Sequence, residues 1–115
     1  MVRYVFDCET NGLLHELDTV DSLVLRDIDD GDIISCSDHD GYESIANGLY
    51  MLSKADVLVG HNVINFDCRA LKKVYKSFKL KKNCKIYDTL IVSRVLWPEL
   101  EPVDHQNFPI FLVNI

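Results

Sequence analysis

Up to Cys36 the apolar residues come in short strand-like runs, and from Ile45 onward they recur at spacings of three and four. That change of period limits the fold more than any other feature of the chain. Residues 2–7 read as a buried strand. Val20 to Ile28 and Asp32 to Cys36 read as two more, joined by Asp29-Asp30-Gly31, whose Asp-Gly pair favours a hairpin. Asp38-His39-Asp40-Gly41 then turns the chain out of this meander.

Beyond the turn the pattern alternates between helix and strand. Ile45, Leu49 and Leu52, with Ala46 and Tyr50, share one helical face, which Gly48 weakens slightly. Val57-Leu58-Val59 is a short continuous apolar run, as expected of a parallel strand covered on both faces, and it ends at Gly60-His61-Asn62. A second helix is expected over about residues 65–77, with Phe66, Ala70, Leu71, Val74 and Tyr75 inward and Arg69, Lys72, Lys73 and Lys76 in water. Ile86 and Tyr87 form a brief strand, and Asp88 is a good N-cap for a third helix, Thr89 to Trp97, which Pro98 stops. Three strands followed by α-β-α-β-α predict an α/β fold, a mixed sheet with helices packed on it. Glu99 to Ile115 has no clear period.

The chain's 115 residues suit one domain with one core, and 48% hydrophobic content suits a globular fold. No apolar run approaches the ~20 residues that cross a bilayer. Met1-Val2-Arg3 leads straight into a strand rather than a signal peptide, so the chain reads as soluble and intracellular, with no membrane partner. Cys8, Cys36, Cys68 and Cys84 form no CxxC pair, and Cys36 with His39 is a single pair without a second. Reduced, packed thiols are the expectation.

The net charge of −6 is divided unevenly. Residues 1–60 carry 13 acidic and 3 basic side chains, and residues 61–115 carry 5 acidic and 9 basic. Most of the positive charge lies between Arg69 and Lys85. Two readings stand for it: a solvated helix face with its loop, or a track for phosphates whose binding would be salt-sensitive.

The acids are most informative at Asp7-Cys8-Glu9, directly after the apolar Tyr4-Val5-Phe6. Residues i and i+2 of a strand point to one face, so two carboxylates stand side by side. This is either a solvated strand face or a pair that a divalent cation relieves of mutual repulsion; oxygen pairs suit Mg²⁺ and Mn²⁺, and two-metal sites of this kind cut phosphodiesters. Thr10-Asn11-Gly12 forms a tight turn whose backbone N–H groups could hold a phosphate or a terminal hydroxyl. In His61-Asn62-Val63-Ile64-Asn65-Phe66-Asp67 a buried strand ends and an acid follows at the first turn of a helix. Asn62 or Asn65 as cap, with Asp67 at the positive helix end, is the structural reading. A ligand site at the carboxyl ends of the strands is the functional one.

Phe6-Asp7-Cys8-Glu9-Thr10-Asn11-Gly12-Leu13 resembles the first motif of the DEDD, or DnaQ-like, 3′–5′ exonucleases. His61-Asn62 through Phe66-Asp67 resembles their second motif. Cys84-Lys85-Ile86-Tyr87-Asp88-Thr89-Leu90, with Ser93-Arg94, is similar to the segment that follows in the proofreading domain of T7-type phage DNA polymerases. The resemblance spans roughly residues 2–105. It implies a ribonuclease H-like fold, a mixed five-stranded sheet flanked by helices, and hydrolysis of phosphodiester bonds at DNA 3′ ends with two Mg²⁺ or Mn²⁺. Asp7 would bridge both ions, Glu9 would hold the ion that activates water, and Asp67 would support the second. Thr10, Asn11, Gly12 and Leu13, with His61, Asn62 and Phe66, would contact the 3′-terminal nucleotide, single-stranded DNA being the expected substrate. Asp88 is expected to be a structural cap.

The family also uses a fourth carboxylate four residues after a Tyr or His on a late helix. Glu99, Glu101 and Asp104 do not stand so. The chain is therefore expected to be a C-terminally truncated exonuclease domain over 1–105 with an atypical tail over 106–115. Such a protein would be weak or incomplete as an enzyme, or would hide its exposed apolar surface in a homo-oligomer. The alternative is a non-catalytic remnant, or half of a split polymerase, that binds a partner chain or nucleic acid. The implied setting is the cytoplasm of a phage-infected or bacterial cell.

Overall fold

The computed structural model describes residues 1–97 and 112–114, to which every statement below applies. Strand β1 (Arg3–Thr10) buries Tyr4, Phe6 and Cys8 on one face and turns Val5, Asp7 and Glu9 to the other. It runs three residues beyond the expected end, so both acids lie within the strand. Strand β2 (Val20–Asp27) pairs antiparallel to β1, and β3 (Ile33–Cys36) antiparallel to β2. The connecting turn uses the expected residues: Asp27 Oδ1 accepts the amides of Asp29 and Asp30, and Gly31 takes a φ of 81° that a side chain would resist.

Helix α1 (Ile45–Ser53) is capped by Ser44, whose hydroxyl accepts the Asn47 amide at 3.1 Å. Strand β4 (Val57–Gly60) then lies parallel to β1. A π-helical turn (Val63–Asp67) runs into helix α2 (Cys68–Val74). Strand β5 (Lys85–Asp88) lies parallel to β4, and helix α3 (Thr89–Leu96) follows, capped by Asp88 as expected. Strand β6 (Leu112–Asn114) adds an antiparallel strand to the outer side of β5, giving the order β3-β2-β1-β4-β5-β6. The first five strands with their helices are the mixed, ribonuclease H-like sheet the sequence predicts; β6 was not anticipated.

The core lies between one sheet face and helices α1 and α2. Leu23, Leu25, Leu52, Leu58, Leu71 and Ile86 are fully buried there. On the opposite face Val5, Val24 and Ile33 are 41%, 38% and 63% exposed, so the described residues leave that face largely open. Cys8, Cys36 and Cys84 are buried and all four cysteines are free thiols, as expected.

Two helix assignments need correction. In α1 the inward face is Ile45, Gly48 and Leu52, while Tyr50 is 62% exposed and Ala46 also faces out. Gly48 is therefore a contact rather than a weakness: a Cβ there would stand 2.7 Å from Cys36 Sγ and 2.9 Å from Leu23 Cδ2. The second helix is shorter than 65–77, because Tyr75 leaves helical geometry and its start is wound as a π turn. Glu99, Glu101 and Asp104 lie outside the described residues, as does most of the 106–115 tail.

Candidate functional site

Strand β1 outlasts its parallel neighbour. Pairing with β4 covers Arg3 to Val5 against Val57 to Val59, and β4 ends at Gly60. Past that point an amide of β1 facing β4 has no strand to receive it, and a buried amide without an acceptor is costly. Asp67 supplies the acceptor: its Oδ2 takes the Cys8 N–H at 3.0 Å. This bond, across 59 positions of sequence, draws the second motif onto the first.

The approach is close. A Cβ at Gly60 would lie 2.2 Å from Val63 Cγ1 and 3.0 Å from the Phe6 carbonyl, so only glycine lets the chain leave β4 here. Asn62 follows in the left-handed region at φ 59°, which Asn tolerates better than most residues. Asn62, one of the two expected caps, makes no side-chain cap bond, and Asp67 makes none at the start of α2. Asp88, fully buried at the end of β5, organises the turn instead. Its Oδ1 accepts the Asn62 amide and its Oδ2 the Ile64 amide, both at 3.0 Å, while Oδ1 also accepts Leu90 N–H in capping α3. His61 Nδ1 meets Thr89 Oγ1 at 2.8 Å beside it.

Asp67 is 4% exposed. Burial pushes its carboxyl up to about 6; the Cys8 amide and thiol pull it back, and the negative charge of Asp7 pushes it up again. Burial, with Asp67 as neighbour, likewise raises the Cys8 thiol. Asp7 and Glu9 lie on the exposed face of β1, and the desolvation falls on Asp67.

The turn after β1 is tied by its own side chains. Thr10 Oγ1 donates to the Gly12 carbonyl at 2.8 Å, and Asn11 Oδ1 accepts the amides of Asp18 and Thr19. The Asn11 amide is itself spent on the Thr19 carbonyl, so the expected cradle of exposed N–H groups loses that member. Leu13 projects outward at 62% exposure, and Lys73 of α2 donates to the Leu14 carbonyl. Phe66 is half-buried, and His61 is exposed.

The structure thus gathers Asp7, Asp67, the 10–13 turn and the 61–67 turn at the carboxyl ends of β1 and β4. There the chain, having left β1 for β2 and β3, returns on β1's other side, which is where open sheets form ligand crevices. Among the described residues no three His, Cys, Asp or Glu side chains converge closely enough to cage a metal ion. The donor set is hard carboxylate oxygen, suited to Mg²⁺ or Mn²⁺, but gathered as an open edge rather than a closed cage. Asp88 and the Cys8 amide were the parts that sequence reasoning missed in this role.

The architecture is that of a ribonuclease H-like α/β domain. Its fold is similar to part of a family B DNA polymerase from the hyperthermophilic archaeon Pyrobaculum calidifontis, at a TM-score of 0.53 and 16% identity. That match covers 77% of this chain and 13% of the polymerase. No protein-family model matches the chain, and no curated protein matches it. No helix among the described residues is long and apolar enough to cross a membrane.

Proposed function

We propose that this chain is a metal-dependent 3′–5′ exonuclease domain of the proofreading type, acting on DNA 3′ ends. The observation that carries this reading is the Asp67–Cys8 bond, which sets a buried acid against the strand bearing Asp7 and Glu9, in a fold shared with part of a DNA polymerase. Asp7, Glu9 and Asp67 would hold one or two Mg²⁺ or Mn²⁺ ions, which when bound supply an activated water and neutralise charge on the phosphate. The chain's own residues provide the rest. Exposed Leu13 would offer an apolar surface for the terminal base, with Thr10, Asn11, Gly12, His61, Asn62 and Phe66 as the further residues to contact it.

The test is degradation of a 5′-labelled single-stranded DNA oligonucleotide with Mn²⁺ or Mg²⁺, alongside Asp7→Ala. A ladder shortening from the 3′ end, absent from the variant, is expected. Intact oligonucleotide with a folded protein would leave a binding remnant as the better reading.

A further inference from the structure

Beside the π turn, helix α2 and the 75–84 loop enclose an open-sided groove of about 860 Å³. Its floor is apolar: Ile64, Cys68, Phe78, Leu80 and Cys84. Its rim is cationic: Lys73 is spent on the Leu14 carbonyl, and the other five cations divide into two sets. Lys72 donates to the Phe78 carbonyl at 2.9 Å, tying the helix to the opposite wall, and Lys81 pairs with Asp56, pinning the loop to the start of β4. These two are spent on the walls, so the groove is held open before anything enters it. Arg69, Lys79 and Lys82 also line it and make no hydrogen bond or ion pair among the described residues.

We propose that this groove docks an acidic amphipathic segment of a partner protein, with apolar side chains on the floor and carboxylates at Arg69, Lys79 and Lys82. The chemistry selects against other occupants. A nucleic-acid strand would use the cations but wants exposed aromatic rings for its bases, and Phe78, the groove's one aromatic among the described residues, is only 9% exposed. A drug-sized anion is ordinarily enclosed over most of its surface, which an open-sided groove does not do. A helix lying in a groove buries one face and leaves the other in water, matching an apolar floor between charged rims. Ile64 belongs to the turn that carries Asp67, so an occupant would touch that turn.

The experiment is fluorescence anisotropy of the full chain with a labelled amphipathic peptide of about four helical turns, Leu on one face and Glu on the other. A scrambled peptide of equal composition and an oligothymidylate of equal charge serve as competitors. Saturable binding is expected, weakened about tenfold by scrambling and by charge reversal at Arg69, Lys79 and Lys82 together. Leu80→Ser should weaken it as well. Because Leu80 also packs on the core, circular dichroism accompanies that variant, and the rim variant decides if it misfolds. Equal binding of the scrambled peptide, no binding, or tighter rim-dependent binding of the oligothymidylate would each overturn the proposal.

Discussion

Two buried carboxylates on this chain have opposite circumstances. Asp88 accepts main-chain amides from both the 61–64 turn and α3. Asp88→Ala would orphan them together and should cost at least about 3 kcal/mol, read as a lowered urea midpoint. Asp67 has fewer donors, and its carboxyl stands up at about 6. The native state therefore holds that proton more tightly than the unfolded chain does. The resulting stability is complete below about pH 4 and is lost as pH rises through about 6, a difference of about 3 kcal/mol. Asp67→Asn keeps an oxygen for Cys8 and removes the titration, so its stability should be nearly level between pH 4 and 7 where the parent's falls. Parallel slopes in urea titrations of the two proteins would contradict this.

At the scale of elements, Gly48 and Gly60 carry different lessons. Alanine is the better helix former by about 1 kcal/mol, so an exposed glycine in α1 would be improved by it. Gly48 faces Cys36 and Leu23 at distances no Cβ accepts, and Gly48→Ala should lower the melting temperature by several degrees. An unchanged or raised value would show that α1 can shift off the sheet. The sequence predicted that element's existence well enough, but not which way it faces: Tyr50 and Gly48 exchange their expected sides. Periodicity ranks a tyrosine as core and a glycine as defect, and it cannot sense how near the sheet lies. The strands were more legible, because alternation and the Asp-Gly turn are local signals. The π turn was not, since its geometry rests on Asp88 24 residues away.

For the whole molecule, the sequence order of elements predicted a mixed sheet, and the acids were legible as residues but not as an arrangement. What joins them is an amide left over where two strands of unequal length part, a property of the pairing and not of any motif. If the acids hold divalent ions, Mg²⁺ or Mn²⁺ in excess at pH 7.5 should raise the melting temperature by several degrees through preferential binding to the folded state. The rise should shrink at pH 5, where the ion competes with the Asp67 proton, and should vanish in Asp67→Asn. A metal-independent melting curve at both pH values would remove the ions from the account.

Because Asp67 takes a main-chain amide at position 8, no ordinary substitution there can remove that donor, although it would remove the thiol's own bond to the acid. Exchange of the buried thiol for another small apolar group would cost its bond to Asp67 and leave the amide bond in place. Only proline, which has no N–H to give, would release it. The main-chain half of the acid's attachment is therefore insulated from mutational drift at position 8, and only its thiol half is exposed to it.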